Sequence, residues 1–391
     1  MELERIATNT YDFETIRKTG ITYVDKTGLM YPLVNTSMGN QFFLSRPRRF
    51  GKSLLLSTLQ KLFEGRRDLF QGLAIDSLPW DWSATYPVIR LDMSLCSGET
   101  VGEVEGRVVA TMRSEADRLG VVLRNEDDAA ICLQSFIEDV AALAPCGQIV
   151  LLVDEYDKPL THWVGSEKVR PFQAFLKSFY AVIKKTESMQ RFCLMTGVSK
   201  FSKVSIFSDL NNLTDLTMNP AATTLLGYTH EEVRKNYPVR LASLANQLGV
   251  DVDGAFTQLV SMYDGYCFDE RMVRVFNPVS LGSALRDMQL KSYWFETGTP
   301  AWLMTYAKKA PMDMDSLTVG DADLGTFEPA DPSMPAVLLQ TGYLTIKGVW
   351  GQGMSTVYDL GFPNEEVSAG FNRWLANAYV RPDTDVSQTS G

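Results

Sequence analysis

This 391-residue sequence has only two histidines, and it lacks closely paired cysteines and long apolar runs. The two histidines, His162 and His230, are far apart and no C-x-x-C pair occurs, so a four-ligand zinc site cannot be assembled locally. The five cysteines are odd in number and widely spaced, which favours a reducing, cytoplasmic setting over a disulfide framework.

Membrane and export signals are also missing. No run of about 18 apolar residues occurs, and the N-terminus, MELERIATNT, lacks the apolar stretch of a signal peptide. Basic residues are in deficit, with 37 Lys and Arg against 47 Asp and Glu and a net charge of −10. Such a chain is repelled by nucleic acid and anionic membrane unless its basic residues are concentrated in one patch.

Apolar strands alternate with helical patterns over about the first 218 residues. This alternation predicts an α/β fold with a parallel sheet, and the continuous apolar run IVLLV within the strand Gln148–Val153 suits a sheet that is covered on both faces. The predicted strands are Ile21–Val24, Gln41–Leu44, Tyr86–Met93, Gln148–Val153 and Arg191–Thr196, and the predicted helices are Lys26–Val34, Ser53–Phe63, most of 101–143, and Pro171–Lys185.

The sharpest motif is RPRRFGKS at residues 46–53, placed between a predicted strand and a predicted helix. It matches the P-loop pattern G-x-x-x-x-G-K-[ST] except at Arg46, and Pro47 would fix φ at the loop entry. Gly51 lets the backbone approach a phosphate, Lys52 would bind the β and γ phosphates, and Ser53 would bind Mg²⁺. A chance G-K-S is the alternative, but the strand–loop–helix context favours a nucleotide site. The predicted nucleotide-binding residues are Arg46, Pro47, Arg48, Arg49, Phe50, Gly51, Lys52, Ser53 and Leu54.

Acidic residues follow the most apolar strand directly, as Asp154-Glu155. In P-loop ATPases the aspartate orients Mg²⁺ and the glutamate polarises the attacking water. A solvated loop carboxylate is the plain alternative for Glu155. We predict Glu155 as the catalytic base, with Lys52 and Ser199 as further catalytic residues and with Asp154 and Ser53 as the metal ligands.

Polar residues also end the next strand, and the loop itself carries three arginines. Thr196 or Ser199 could sense the γ-phosphate, although an ordinary turn explains them equally well. Arg46, Arg48 and Arg49 could neutralise phosphate in cis or act on a neighbouring subunit as arginine fingers; surface charge is the alternative. ATP is favoured over GTP because no N-K-x-D occurs.

Several separated motifs together resemble the bacterial AAA-ATPase-like family. They are YVDKTGLMYPLV, FFLSRPRRFGKSLLLSTL, LFQGLAI, LLVDEYDKPL, TGVSKFSKVSIFSDLNNLTDLT, YDGYCF and NPVSL, spread over about residues 10 to 370. The resemblance accounts for Arg46 in the loop. It implies a P-loop ATPase core of the ASCE type, a helical lid, and a region similar to the winged-helix part of initiator-like ATPases. It also implies that the N-terminal segment, at Ile21 or Tyr23, lies near the adenine.

From these patterns we expect an ATPase core at 1–218, a helical lid at 219–300, a winged-helix-like domain at 301–370, and a helix end with a disordered tail at 371–391. Thr229 and Glu232 form a predicted capping box at the start of a lid helix. Val337–Ile346 and Thr356–Leu360 are predicted as strands of a hairpin around a Gly-rich turn.

Members of the bacterial AAA-ATPase-like family typically carry a C-terminal PD-(D/E)XK nuclease-like domain, which we do not expect within these 391 residues; a fragment of a longer protein is one explanation. No lysine follows Lys347, so no Glu-x-Lys can be assembled there, and we assign the nuclease-like string Asp154–Lys158 to the ATP site instead. Residues 300–391 hold five basic and eleven acidic residues, which argues against DNA binding.

Three functions remain open. The chain could be an ATPase switch, with slow Mg²⁺-dependent hydrolysis controlling a protein partner or a C-terminal effector domain. It could be a module that binds ATP and scarcely turns it over, or the ATPase part of a nucleic-acid-processing protein. Oligomerisation is compatible with all three.

Overall fold

A computed structural model shows how these segments fold. It describes residues 3–7, 10–201, 206, 212–294, 317–320, 324, 326–351 and 353–380. The sequence prediction of a disordered tail from Arg381 lies outside the described residues. All five cysteines are free thiols, as expected, and only Cys146 is exposed. Within the described ranges, no helix is long and apolar enough to cross a membrane.

Five parallel strands form the central sheet, in the spatial order β2, β3, β4, β1, β5. Every residue of β3 is buried, which explains why the strand is apolar from Ile149 to Val153, before Asp154 ends it. Because all the strands run in one direction, the segments that follow β1, β3 and β4 meet at one edge of the sheet. The strands are β1 (Gln41–Ser45), β2 (Val88–Asp92), β3 (Ile149–Asp154), β4 (Gln190–Gly197) and β5 (Thr214–Asp215).

Six helices accompany this sheet, and α3 packs against β2, β3 and β4. Their order confirms the predicted α/β alternation. The segment Ile21–Val24, however, was wrongly predicted as a strand: it joins no sheet, and Thr22 N–H donates to the Arg5 carbonyl instead. The helices are α1 (Phe13–Thr19), α2 (Thr27–Val34), α3 (Lys52–Phe63), α4 (Val101–Leu119), α5 (Ala129–Leu143) and α6 (Arg170–Lys185).

Residues 219–294 pack four further helices around a second apolar cluster, which includes Val24 of the N-terminal segment. Thr229 and Glu232 form the predicted capping box at the start of α7. A short hairpin, β6 (Tyr266–Cys267) with β7 (Arg274–Val275), interrupts the helices. The helices are α7 (His230–Asn236), α8 (Pro238–Leu248), α9 (Val252–Tyr263) and α10 (Pro278–Asp287).

The described C-terminal part holds a three-stranded antiparallel sheet in the order β8, β10, β9. The predicted strand Val337–Ile346 is wrong in its first half, because Met334–Thr341 is helical and the chain turns at Gly342, whose φ is 87°. The elements are β8 (Leu317–Gly320), α11 (Met334–Thr341), β9 (Thr345–Trp350), β10 (Val357–Gly361) and α12 (Glu365–Val380).

Candidate functional site

The loop between β1 and α3 has the backbone shape of an anion site. Gly51 has φ of 94° and Arg49 has φ of 69°, both in the left-handed region. Gly51 is the N-cap of α3, and no side chain in the described chain caps this helix end. The first-turn N–H groups of α3 have no side-chain cap among the described residues, an arrangement that suits an anion.

Lys52 lies over this loop. Its Nζ donates to the carbonyls of Arg46 at 2.8 Å and Pro47 at 3.0 Å, and the residue is buried. Burial lowers the pKa of Lys52, while the nearby carboxylates of Asp154 and Glu155 raise it. The lysine is thus close to the acidic end of β3. Bound phosphates could take the place of the two loop carbonyls as acceptors for its amine.

The three loop arginines occupy different environments. The Arg46 guanidinium is buried, donates to backbone carbonyls and stacks over Phe268, with its central carbon 4.2 Å from the ring centroid. Arg49 donates to the Tyr293 carbonyl at 2.7 Å. Arg48 is exposed. Of the three arginines, Arg46 is buried, Arg49 is half-buried and Arg48 is the most exposed, a distinction that the sequence did not reveal.

At the carboxyl end of the neighbouring strands, Asp154 and Thr196 are joined. The Thr196 hydroxyl donates to Asp154 Oδ1 at 2.8 Å, and Glu155 N–H donates to the same oxygen at 3.1 Å. Asp154 is buried and fixed in direction, as a residue that orients a hydrated Mg²⁺ must be. Ser53, the other predicted ligand, is half-buried in the first turn of α3. No group of three or more His, Cys, Asp or Glu residues in the described ranges could hold a metal without a ligand's phosphates.

Glu155 follows Asp154 with φ of 50°, an uncommon value for a residue other than glycine. Its side chain is half-buried. Burial raises the pKa of Glu155, and the charges of Asp157 and Asp154 raise it further. A carboxylate with increased proton affinity at the edge of a phosphate loop suits a general base.

Ser199 lies two residues beyond β4 and is buried. Its N–H donates to Asp157 Oδ2 at 2.8 Å and its carbonyl accepts from the Tyr156 hydroxyl at 2.8 Å. Sequence analysis did not predict that Asp157 contacts the turn that carries Ser199. The adjoining Gly197 was an available signal, since it marks a place where another group approaches the backbone closely.

The N-terminal segment packs against α1 and reaches the capped helix α7. Tyr23 packs edge-on against Phe13, with ring centroids 5.0 Å apart, and burial raises the pKa of its hydroxyl. Lys26 Nζ donates to Glu232 of α7 at 2.6 Å, so the segment connects the core to the capped helix. Ile21 lies half-buried in the same segment. The adenine prediction for Tyr23 and Ile21 stays a prediction.

The outer side of the loop contacts residues far along the chain, which sequence analysis did not predict. Phe50 packs edge-on against Tyr266 and Phe268, with centroids 4.8 and 5.2 Å apart. A Cβ on Gly342 would lie 2.8 Å from Pro47, so the turn after α11 rests directly on the loop. The YDGYCF motif therefore supports the phosphate loop.

Two known proteins are similar to this chain. The chain is 36% identical over 375 residues to an uncharacterized protein in the vnfD 5′ region of Azotobacter chroococcum mcd 1, covering 94% of this chain and 69% of that protein. The Aeropyrum pernix ORC2 protein, solved in ADPNP–ADP complexes, aligns over 91% of this chain and 94% of its own at 10% identity and a TM-score of 0.33. That score supports no conclusion about fold or function.

A family model described as predicted AAA-ATPase matches residues 7–207. This range holds the phosphate loop, Asp154-Glu155 and Ser199, and it covers more than half of the chain. The chain therefore belongs to the predicted AAA-ATPase family.

Proposed function

We propose that the chain binds Mg²⁺–ATP at residues 46–54 and hydrolyses it slowly. Lys52 binds the β and γ phosphates, Ser53 and Asp154 hold Mg²⁺, and Glu155 activates the attacking water. One observation carries the proposal: Lys52 and the two carboxylates lie at the same edge of the sheet, and the lysine amine donates to the loop carbonyls of Arg46 and Pro47.

The residue that senses the γ-phosphate in this proposal is Thr196 or Ser199. Thr196 lies near the carboxyl end of β4, and Ser199 lies in the turn that follows it. The Thr196 hydroxyl donates to Asp154, so Thr196 contacts the proposed Mg²⁺ ligand and not the γ-phosphate directly. Ser199 is fixed through its backbone N–H and carbonyl, and we propose that its hydroxyl contacts the γ-phosphate. Ser199 is therefore the better candidate for direct contact.

We further propose that nucleotide state is passed to the C-terminal part. Arg49 donates to the Tyr293 carbonyl, and Glu366 of α12 accepts from the N–H groups of Tyr293 and Trp294. Phosphates that attract Arg49 would compete with the Tyr293 carbonyl and loosen this link. Arg49 of the loop and Glu366 in the first turn of α12 thus both bind the backbone of Tyr293. This shared contact could transmit nucleotide state to α12.

The proposed domains are the core at 1–218, a lid at 219–300 and a winged-helix-like domain at 301–370, supported by α11 followed by the β9–β10 hairpin and by β8. The controlled partner is a protein or a C-terminal effector domain. With five basic and eleven acidic residues after residue 299, this region is not proposed to bind DNA.

An equilibrium titration with labelled ATP and Mg²⁺ tests the site. Lys52→Ala should abolish tight binding while the protein stays folded. Lys61→Ala is the matched control, because Lys61 is on the same helix and pairs with Glu14 and Glu64 instead. Unchanged affinity in folded Lys52→Ala would refute the proposal, whereas tight binding without turnover by wild type would favour the ATP-binding module.

A further inference from the structure

The turn after β3 and the turn after β4 are cross-linked through Asp157. Asp157 is only 2% exposed. Its carboxylate accepts the Ser199 N–H at 2.8 Å and the Val198 N–H at 3.3 Å. Beside it, Tyr156 N–H donates to the Thr196 carbonyl at 3.0 Å and the Tyr156 hydroxyl donates to the Ser199 carbonyl. The two turns therefore form one hydrogen-bonded unit.

The approach between these turns is close enough to require glycine. A Cβ at Gly197 would lie 2.7 Å from Asp157 Oδ1 and 2.5 Å from Tyr156 Cδ1, inside the contact distance of real atoms. The backbone after β4 therefore packs directly on the Asp157 carboxylate. Any side chain at 197 would force the two turns apart.

Glu155 depends on this unit for its position. Its left-handed φ of 50° costs on the order of 1 kcal/mol, and such a conformation persists only where its neighbours fix it. Asp154 is fixed by the Thr196 hydroxyl on one side, and Tyr156 and Asp157 are fixed by the β4 turn on the other. Both oxygens of Asp157 face backbone amides, so this carboxylate is engaged and is not itself a base.

We propose that Asp157 is a positioning residue for ATP hydrolysis: it holds the turn that carries Glu155 in fixed relation to the turn that carries Ser199. The base and the γ-phosphate sensor then act on the same phosphate. This inference rests on the proposed ATP hydrolysis. Misplacement of a reacting group by about 1 Å can cost on the order of 10²-fold in rate, so a loss of this clamp should appear mainly in kcat.

The test is the split between turnover and affinity in purified full-length variants. Asp157→Ala should lower kcat at least ~10-fold while the Kd for Mg²⁺–ATP stays within about threefold. Asp157→Asn keeps an oxygen for the Ser199 N–H and should recover most of kcat. Asp128→Ala is the control, because Asp128 also accepts two backbone N–H bonds but only from its own helix, α5. It should lower stability without changing kcat.

Gly197→Ala disturbs the same contact from the other side and serves where Asp157→Ala does not fold. It should also lower kcat with Mg²⁺–ATP affinity retained. If Asp157→Ala or Gly197→Ala folds and keeps the wild-type kcat while Glu155→Gln is inactive, the inference about Asp157 is overturned. The proposed function then remains intact.

A wild type that binds ATP without turnover still allows a decision. In that case Asp157→Ala should reduce the ratio of ATP to ADP affinity by at least about threefold, because the Ser199 turn no longer meets the γ-phosphate. An unchanged ratio would overturn the inference. Absence of any ATP binding in the Lys52 titration would instead remove the proposed function, and the inference with it.

Discussion

The three arginines of the phosphate loop should respond differently to removal. Arg46 Nη1 donates to the carbonyls of Ser45 and Thr217 at 2.9 and 2.6 Å, and its Nη2 donates to the Ala222 carbonyl at 3.0 Å. Burial lowers the pKa of Arg46 to about 10, yet the group stays charged at neutral pH. These contacts indicate that the Arg46 side chain braces β1 against residues 217–222, so we expect Arg46 to take part in the proposed site through its backbone.

The magnitude for Arg46→Ala follows from these contacts. Each carbonyl left buried without a donor costs about 1–3 kcal/mol, and water entry with relief of the buried charge offsets part of the total. We expect a net loss of about 3 kcal/mol in the free energy of unfolding, which lowers Tm by roughly 5–10 °C. Arg46→Lys should recover little, because an ammonium lacks the planar fork that reaches three carbonyls.

Arg48→Ala is the contrasting variant. Arg48 is exposed, so its removal should change stability by less than about 0.5 kcal/mol. It should weaken Mg²⁺–ATP binding or turnover about fivefold, since one exposed charge near a phosphate contributes about 1 kcal/mol. Thermal unfolding and ATP titration of both variants decide the matter. Arg46→Ala that melts like wild type but loses ATP would refute this division of roles.

Glu155→Gln should bind Mg²⁺–ATP normally and lower kcat by a factor on the order of 10² or more; wild-type turnover in a phosphate-release assay would remove Glu155 as the base. Burial raises the pKa of Glu366, and the two backbone N–H groups that donate to it oppose this increase. The folded state therefore favours the neutral acid. Its contribution to the free energy of unfolding is lost as the pH rises from 4.5 through the raised pKa of the folded state. The variant Glu366→Gln, which cannot ionise, should therefore gain in Tm relative to wild type as the pH rises above 4.5, and identical pH profiles would contradict this. Thr229→Ala, which removes a helix cap, should cost about 1 kcal/mol without changing kcat, as measured by thermal unfolding and turnover. In a low-salt anisotropy titration the chain should show no DNA binding, and micromolar binding removed by Lys347→Glu would overturn that expectation.

Much of the core could be predicted because its signals are local. The apolar run of β3 and the helical pattern of α3 each follow from a few neighbouring residues, and their observed bounds lie within about two residues of the predicted ones. The segment before α2 was misread, since Ile21–Val24 has strand-like composition but no neighbouring strand. Val337–Thr341 was misread for the converse reason, because apolar residues in a short run suit either a helix or a strand.

The site was only partly predictable because its supports are distant in sequence. Nothing near Phe50 indicates that it packs on Tyr266 and Phe268, more than 200 residues away. The loop arginines look alike in sequence, and only tertiary packing separates buried Arg46 from exposed Arg48. Asp157 was overlooked because its role depends on backbone amides of another strand's turn, which no residue pattern records.

A structure with a non-hydrolysable ATP analogue and Mg²⁺ examines the nucleotide site itself. The Lys52 amine should leave the Arg46 and Pro47 carbonyls and contact the β and γ phosphates. Mg²⁺ should lie between Ser53 and the water shell of Asp154, with Glu155 facing the γ-phosphate. A nucleotide bound elsewhere, with Lys52 still on its loop carbonyls, would contradict the assignment of this site.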